Sequence, residues 1–328
     1  MTPSSVTGPA SRPRPADEPR SVARSALRLR AFFAERAPTR IYLTYAVLWV
    51  LALQGTLAVL APESDWRLGG SLLTEIATVY LALLFIRVVD EQKDLEYDRQ
   101  YNPDRPLPRG AIDVVELRAA MVLIVVAELA LTGWRSPLLA GWLLLDLGYI
   151  CFLVQLERWS ARVRDRIFVN LLVSYPVQAL LSVHIWLSFR QATGTGPVPD
   201  AVFGALLCAC VFLHYEFARK TGARVVPGAS LYSNVVGLRG SVALTSGFAL
   251  GAVGLALALV RPWELHGAVA LAGWLPLSAL GFVWGGGERF ASLRTPTWPP
   301  GPAMGFLAWC YLGVFITALV VARPGFGG

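Results

Sequence analysis

Long apolar stretches recur along the chain with short polar stretches between them, each close to the roughly 20 residues a helix needs to cross a bilayer core. They fall at about 41–62, 71–89, 115–133, 137–156, 167–188, 201–217, 240–260, 265–284 and 303–322. The pattern predicts an all-α polytopic membrane bundle of about nine transmembrane helices. The sixth stretch is short and runs directly into charge.

The first 39 residues break the pattern. Pro3, Pro9, Pro13, Pro15 and Pro19 punctuate them, and eight Arg lie between Arg12 and Arg40. Such a composition is unsuited to a packed core, so residues 1–39 read as a disordered, Arg/Pro-rich cytoplasmic tail ahead of a transmembrane domain over 40–328. A transit peptide is the competing reading, against which Asp17, Glu18 and Glu35 weigh.

Composition supports a membrane protein. The 328 residues are 55% hydrophobic and only 16% charged, against roughly 25% charged in soluble domains. The four cysteines lie in apolar stretches with no CxxC pair, which speaks against both a zinc site and a disulfide framework. In a bilayer protein, the net charge of +7 reports loop arginines and attraction to anionic lipid, not a nucleic-acid partner. With the N-terminus inside, 23 Lys and Arg fall on the cytoplasmic side and five on the other. The positive-inside rule therefore predicts N-terminus in and C-terminus out.

Chemistry concentrates in two of the inner loops. The second stretch ends in Asp90-Glu91-Gln92-Lys93-Asp94-Leu95-Glu96-Tyr97-Asp98. Asp90, Asp94 and Asp98 are spaced to share one helix face, with Glu91 alongside. Carboxylates so close repel one another unless a cation sits between them, and Mg²⁺ takes such hard oxygens together with water and phosphate. Taken alone, a charge run of this kind is also what a solvated helix end looks like. A few residues on, the chain reads Asn102-Pro103-Asp104-Arg105-Pro106-Leu107-Pro108-Arg109-Gly110. The prolines of this segment stop the helix, and its arginine forks suit phosphate oxygens.

The run Asp90-Glu91-x-x-Asp94-x-x-x-Asp98 with Asn102-Pro103-x-Arg105-Pro106-Leu107-Pro108-x-Gly110 closely resembles the first aspartate-rich motif of the UbiA superfamily of intramembrane prenyltransferases. The usual opening of that motif is Asn-Asp, where this chain has Asp90-Glu91. The resemblance implies a nine-helix fold, an isoprenyl diphosphate substrate and a Mg²⁺ cofactor. It assigns catalytic roles to Asp90, Glu91, Asp94 and Asp98, with Asp90, Asp94 and Asp98 as metal ligands and Arg105 and Arg109 on the diphosphate.

A second aspartate-rich motif is expected at the inner end of the sixth helix. Here the chain has His214-Tyr215-Glu216-Phe217-Ala218-Arg219-Lys220, with His214 and Ala218 in the two aspartate positions. Glu216 remains as a metal ligand, and Arg219, Lys220 and Tyr232 as diphosphate contacts. The alternative for His214 is a buried packing histidine, and for the two cations, anchors at the bilayer surface.

Asp146 and Glu128 sit inside apolar stretches, where an ionisable side chain is costly. Asp146, Tyr149 and Asn170 are candidate pocket residues for positioning an acceptor, with Tyr175 and Gln178 nearby. An interhelical hydrogen bond is the equally open reading of Asp146. The resemblance implies transfer of a prenyl group to an aromatic or other lipophilic acceptor. A terpene cyclase of the same fold, needing no acceptor, is the rival, and a transporter or lipid-binding membrane protein is a third reading.

Overall fold

The structure is a computed structural model and describes residues 21–292 and 295–327. The Pro3–Pro19 stretch and Arg294 lie outside the described residues. A surface helix α1 (Val22–Arg36) leads into α2 (Thr39–Leu60), α3 (Gly70–Lys93), short α4 (Leu95–Tyr101), α5 (Val114–Gly133) and α6 (Pro137–Trp159). Then come α7 (Ala161–Asp165), α8 (Ile167–Ser174), α9 (Pro176–Thr193), α10 (Ala201–Arg219) and α11 (Ser233–Val260). The chain ends with α12 (Gly267–Gly273), α13 (Leu275–Ser278), α14 (Leu280–Ala291) and α15 (Pro300–Ala322).

These helices make the expected multi-pass bundle. Eight spans are long and apolar enough to cross a membrane by length and composition, α8–α9 and α12–α14 each serving as one interrupted span. The remaining stretch, α5, has similar length but carries Glu116, Arg118 and Glu128, so its place among the nine rests on its packing against α3 and α6.

Local chemistry sets the ends. Ser136 caps α6, its Oγ accepting from Leu138 N at 3.2 Å, with Pro137 in the first turn where its missing N–H costs nothing. Asp113 and Glu116 close a capping box on α5. Pro176 separates α8 from α9. Gly237, at φ +72°, breaks α11 near its start, so a short turn from Ser233 precedes the continuous helix, which begins close to the expected 240.

The disordered-tail reading needs correction over its second half. Val22–Arg36 is helical, and Phe32 is buried against Val88, Leu107, Ile112 and Leu117. Phe32 and its neighbour Phe33 (ring centroids 5.3 Å apart) supply the apolar stripe that the proline count obscured.

Helices α2, α3, α9, α10, α11 and α15 enclose the main interior, which includes Trp49, Leu53, Leu57, Phe306, Tyr311 and Val314. Between apolar lipid tails and apolar helices the driving force is close packing. Gly55 shows it: a Cβ there would stand 2.7 Å from the Ala318 Cβ, so α2 and α15 approach at a distance only glycine allows. Alternating passage brings α1, the end of α3, the α6–α8 turn and the end of α10 to one face. The small parallel pairing of β1 (Arg67–Leu68) with β2 (Gly325–Phe326) lies at the other.

Candidate active site

The three aspartates keep their stagger. Asp94 is the junction between α3 and α4 (φ −86°, ψ 4°), and backbone bonds Asp94 N to Asp90 O (2.9 Å) and Asp98 N to Asp94 O (2.8 Å) carry the i,i+4 spacing across it. Their surroundings differ. Asp98 is buried, accepting from Arg105 Nη1 on both oxygens at 2.6 Å and from Asn102 Nδ2 at 2.9 Å. Asp90 and Asp94 are only partly buried. Lys93 Nζ stands 3.8 Å from Asp90 and 3.3 Å from Glu157, and Asn170 donates to the same Glu157 oxygen at 2.7 Å.

Glu91 turns away from this group. It is buried, accepts from Arg36 Nε at 2.7 Å and pairs with Arg87. Arg109 is likewise drawn aside, donating to both Glu35 oxygens at 2.7 and 3.1 Å.

The end of α10 supplies the facing wall. Glu216 is covered by donors: Arg219 at 2.6 Å, Lys220 at 2.6 Å and the Tyr232 hydroxyl at 3.4 Å. Burial, then the Glu216 carboxylate, raises the Tyr232 phenol above its ordinary range, so it stays a donor. Ala218 is buried, and His214 is a packed histidine bonded to the Thr245 carbonyl at 2.9 Å. Arg219 lies within electrostatic reach of Asp90, so the α3 and α10 ends are neighbours on one face. Just inside it, Tyr232 stacks on Phe217 (4.1 Å, 25°), with Phe168 at 5.2 Å from Tyr232. Sequence reasoning did not find Glu157, Phe168 or Phe217; no local spacing marks them.

Asp146 and Tyr149 are not brought to this site. Tyr149 donates to the Val173 carbonyl at 2.7 Å, tying α6 to α8. Asp146 and Glu128 are buried, with neither carboxylate bonded among the described residues. Glu128 lies near Asp146, and Asp146 near His184, whose Nδ1 meets Glu75 Oε1 at 2.8 Å. Glu75 precedes Asp90 by fifteen residues on α3, about 22 Å along the axis, so this buried cluster belongs to the opposite half of the bundle. Tyr175 and Gln178 line an apolar groove of about 410 Å³ between α9 and α10.

No family model matches the chain, nor does any curated protein sequence. Among solved structures, the apo structure of a UbiA homolog from Aeropyrum pernix is similar at a TM-score of 0.57 and 14% identity, over 84% of this chain and 97% of that one. The chain has the UbiA fold. A digeranylgeranylglyceryl phosphate synthase aligns over 85% of this chain and 96% of its own at a TM-score of 0.46 and 15% identity.

Within that UbiA fold, the donor set can be tested for a metal. Among the described residues no three His, Cys, Asp or Glu come together as a metal-holding group. Mg²⁺ commonly takes only one or two carboxylates and completes its shell with water and phosphate oxygens, and Asp90 with Asp94 fit that requirement. Asp98 and Glu216 are held in ion pairs.

Burial raises the Asp94 carboxyl above its ordinary 3.8; Lys93 opposes the rise, and Asp90 and Asp98 add to it. A carboxyl raised on folding lowers stability once ionised; the loss is absent below the ordinary value and complete above the folded one. Without divalent cation, Asp94→Asn is therefore expected to raise the thermal midpoint at pH 7. The gain should shrink as pH falls towards 4. A melting series in detergent checks this; a gain that grows on acidification contradicts it.

Proposed function

We propose that the protein is a Mg²⁺-dependent membrane prenyltransferase acting on an isoprenyl diphosphate and an aromatic or other lipophilic acceptor. The observation that carries this reading is the placement on one membrane face of two partly exposed carboxylates, Asp90 at the end of α3 and Asp94 at the α3–α4 junction, near Arg219 and Lys220 at the end of α10. A diphosphate between them meets both a cation-holding edge and a cationic edge. The reading places the N-terminus and this face in the cytoplasm, in line with the loop arginines.

Asp90 and Asp94 would hold the metal. Mg²⁺, when bound, neutralises charge on the departing diphosphate. Arg219 and Lys220 bind the diphosphate oxygens directly and oppose the negative charge that grows as the allylic C–O bond breaks. Glu216 and the Tyr232 hydroxyl fix the direction of those two cations. The part-exposed Phe168 ring, backed by the buried Phe217–Tyr232 stack, would turn its π surface to the allylic cation, and the apolar helices keep water from it. The groove between α9 and α10 offers apolar surface for the isoprenoid chain.

Membranes containing the protein are incubated with radiolabelled prenyl diphosphates of ten, fifteen and twenty carbons, with and without aromatic acceptors. Mg²⁺-dependent diphosphate release only with an acceptor is the expected result. A cyclic product without acceptor would replace transferase by cyclase. No release in any arm would sink both.

A further inference from the structure

Helix α1 touches both ends of the segment that carries the aspartates and the proline-stiffened loop. At one end Arg36 Nε bonds Glu91, the residue after Asp90, at 2.7 Å. At the other, Arg28 donates from Nε to the Ala111 carbonyl at 2.8 Å and from Nη2 to the Gly110 carbonyl at 3.3 Å. Its Nη1 also pairs with Glu116 at 3.3 Å and Asp113 at 3.7 Å. Between these points Glu35 grips Arg109, and Phe32 is buried against Val88, Leu107 and Ile112.

The loop is shaped for this. Gly110 sits at φ +76°, a conformation glycine adopts without strain. Ala111 N returns to the Pro106 carbonyl at 2.8 Å. The turn so formed presents two successive carbonyls to one guanidinium, whose fork is suited to paired acceptors.

We infer that α1 is a strap that sets the distance between the aspartate helix and the Arg105 loop, with Arg36 and Arg28 as positioning residues and Arg109 part of the strap instead of a diphosphate ligand. The inference rests on the diphosphate reading of the Asp90–Asp94 site. Arg36 acts through Glu91: fixing that side chain fixes the last turn of α3 and hence the direction of Asp90. Arg28 acts through the carbonyls of the loop, and so on Arg105. Groups that orient the holders of a metal or anion carry effects of about 10–100-fold when removed.

The test measures affinity for inorganic diphosphate with Mg²⁺ on purified full-length protein, for Arg36→Gln, Arg36→Lys, Glu91→Gln, the Arg36→Gln/Glu91→Gln double variant and Arg28→Gln. Arg36→Gln should weaken binding about 10–100-fold, and Arg36→Lys should restore part of it. The double variant should bind no worse than Glu91→Gln alone, the signature of one residue acting through another.

Amide exchange over 94–112 should quicken in Arg36→Gln and Arg28→Gln while α10 stays protected, which global destabilisation would not produce. Additive losses in the double variant, or unchanged affinity in Arg36→Gln and Arg28→Gln, would overturn the strap. If Asp94→Asn also bound diphosphate like the wild type, the site itself would be misassigned; if only that variant lost binding, the site would stand and the strap fall.

Discussion

Asp94→Ala is expected to lower Mg²⁺-dependent diphosphate release by about 100–1,000-fold, the range for removing one preorganised electrostatic contact from a reacting centre. Asp94 stands out among the acidic residues of its segment because of what each neighbour already does. Glu91 is taken by Arg36 and Arg87, and Asp98 by Arg105 and Asn102. Asp94 is partly exposed at the helix junction, beside Asp90, with burial and like charge both disfavouring its ionised form until a cation arrives. Glu96 is the matched control: two residues on, exposed, and paired with Arg99 at 2.7 Å. Glu96→Ala should leave release within about twofold, as surface changes usually do. Release by membranes carrying each variant, normalised to extracted folded protein, decides it. Equal losses in both, or survival of release in Asp94→Ala, would remove Asp94 from the chemistry.

The sequence foretold this site unevenly, for a physical reason. Helical periodicity is local, so the apolar stretches and the stagger of Asp90, Asp94 and Asp98 can be read along one strip of chain; eight of the nine stretches return as membrane-length apolar spans, and the stagger is kept. Ion-pair choice is not local. Whether a carboxylate faces a ligand or an arginine depends on what tertiary packing brings near, and Glu91 meets Arg36 across 55 residues while Arg109 meets Glu35 across 74. The same holds for Glu157, which reaches Lys93 from α6. Helix α1 was illegible for a different reason. Its prolines end before Ser21, and the apolar stripe of Leu29, Phe32 and Phe33 is too short to stand out from an arginine-rich background. Glu128 and Asp146 stand out in the sequence as ionisable residues in apolar stretches, but residue type does not fix depth: Asp146 lies near His184, which bonds Glu75 in the far half of the bundle, and Glu128 lies near Asp146.

Arg105→Ala should cost about 1.5–3 kcal/mol of stability, the range for losing a hydrogen bond to a charged group. Asp98 is 1% exposed, and Arg105 supplies the cation that balances it, through a single nitrogen touching both oxygens at 2.6 Å. Without it, only the Asn102 amide among the described residues would still donate to that carboxylate. Since one nitrogen makes the contact, a lysine ammonium can reproduce much of it, and Arg105→Lys should recover more than half of the loss. Removing the charge at its source should also help, so Asp98→Asn/Arg105→Ala is expected to be more stable than Arg105→Ala alone. Thermal and denaturant unfolding in one detergent gives the cycle; a double variant no better than the single would show that Asp98 is satisfied without Arg105. Diphosphate affinity then separates two roles for this arginine. If Arg105 serves only to seat Asp98, the stabilised double variant regains binding; if its guanidinium also meets the substrate, stability returns and affinity does not. The strap geometry favours the second outcome, because α1 holds the Arg105 loop against the helix of Asp90 from both ends, a constraint that folding of α4 alone does not require.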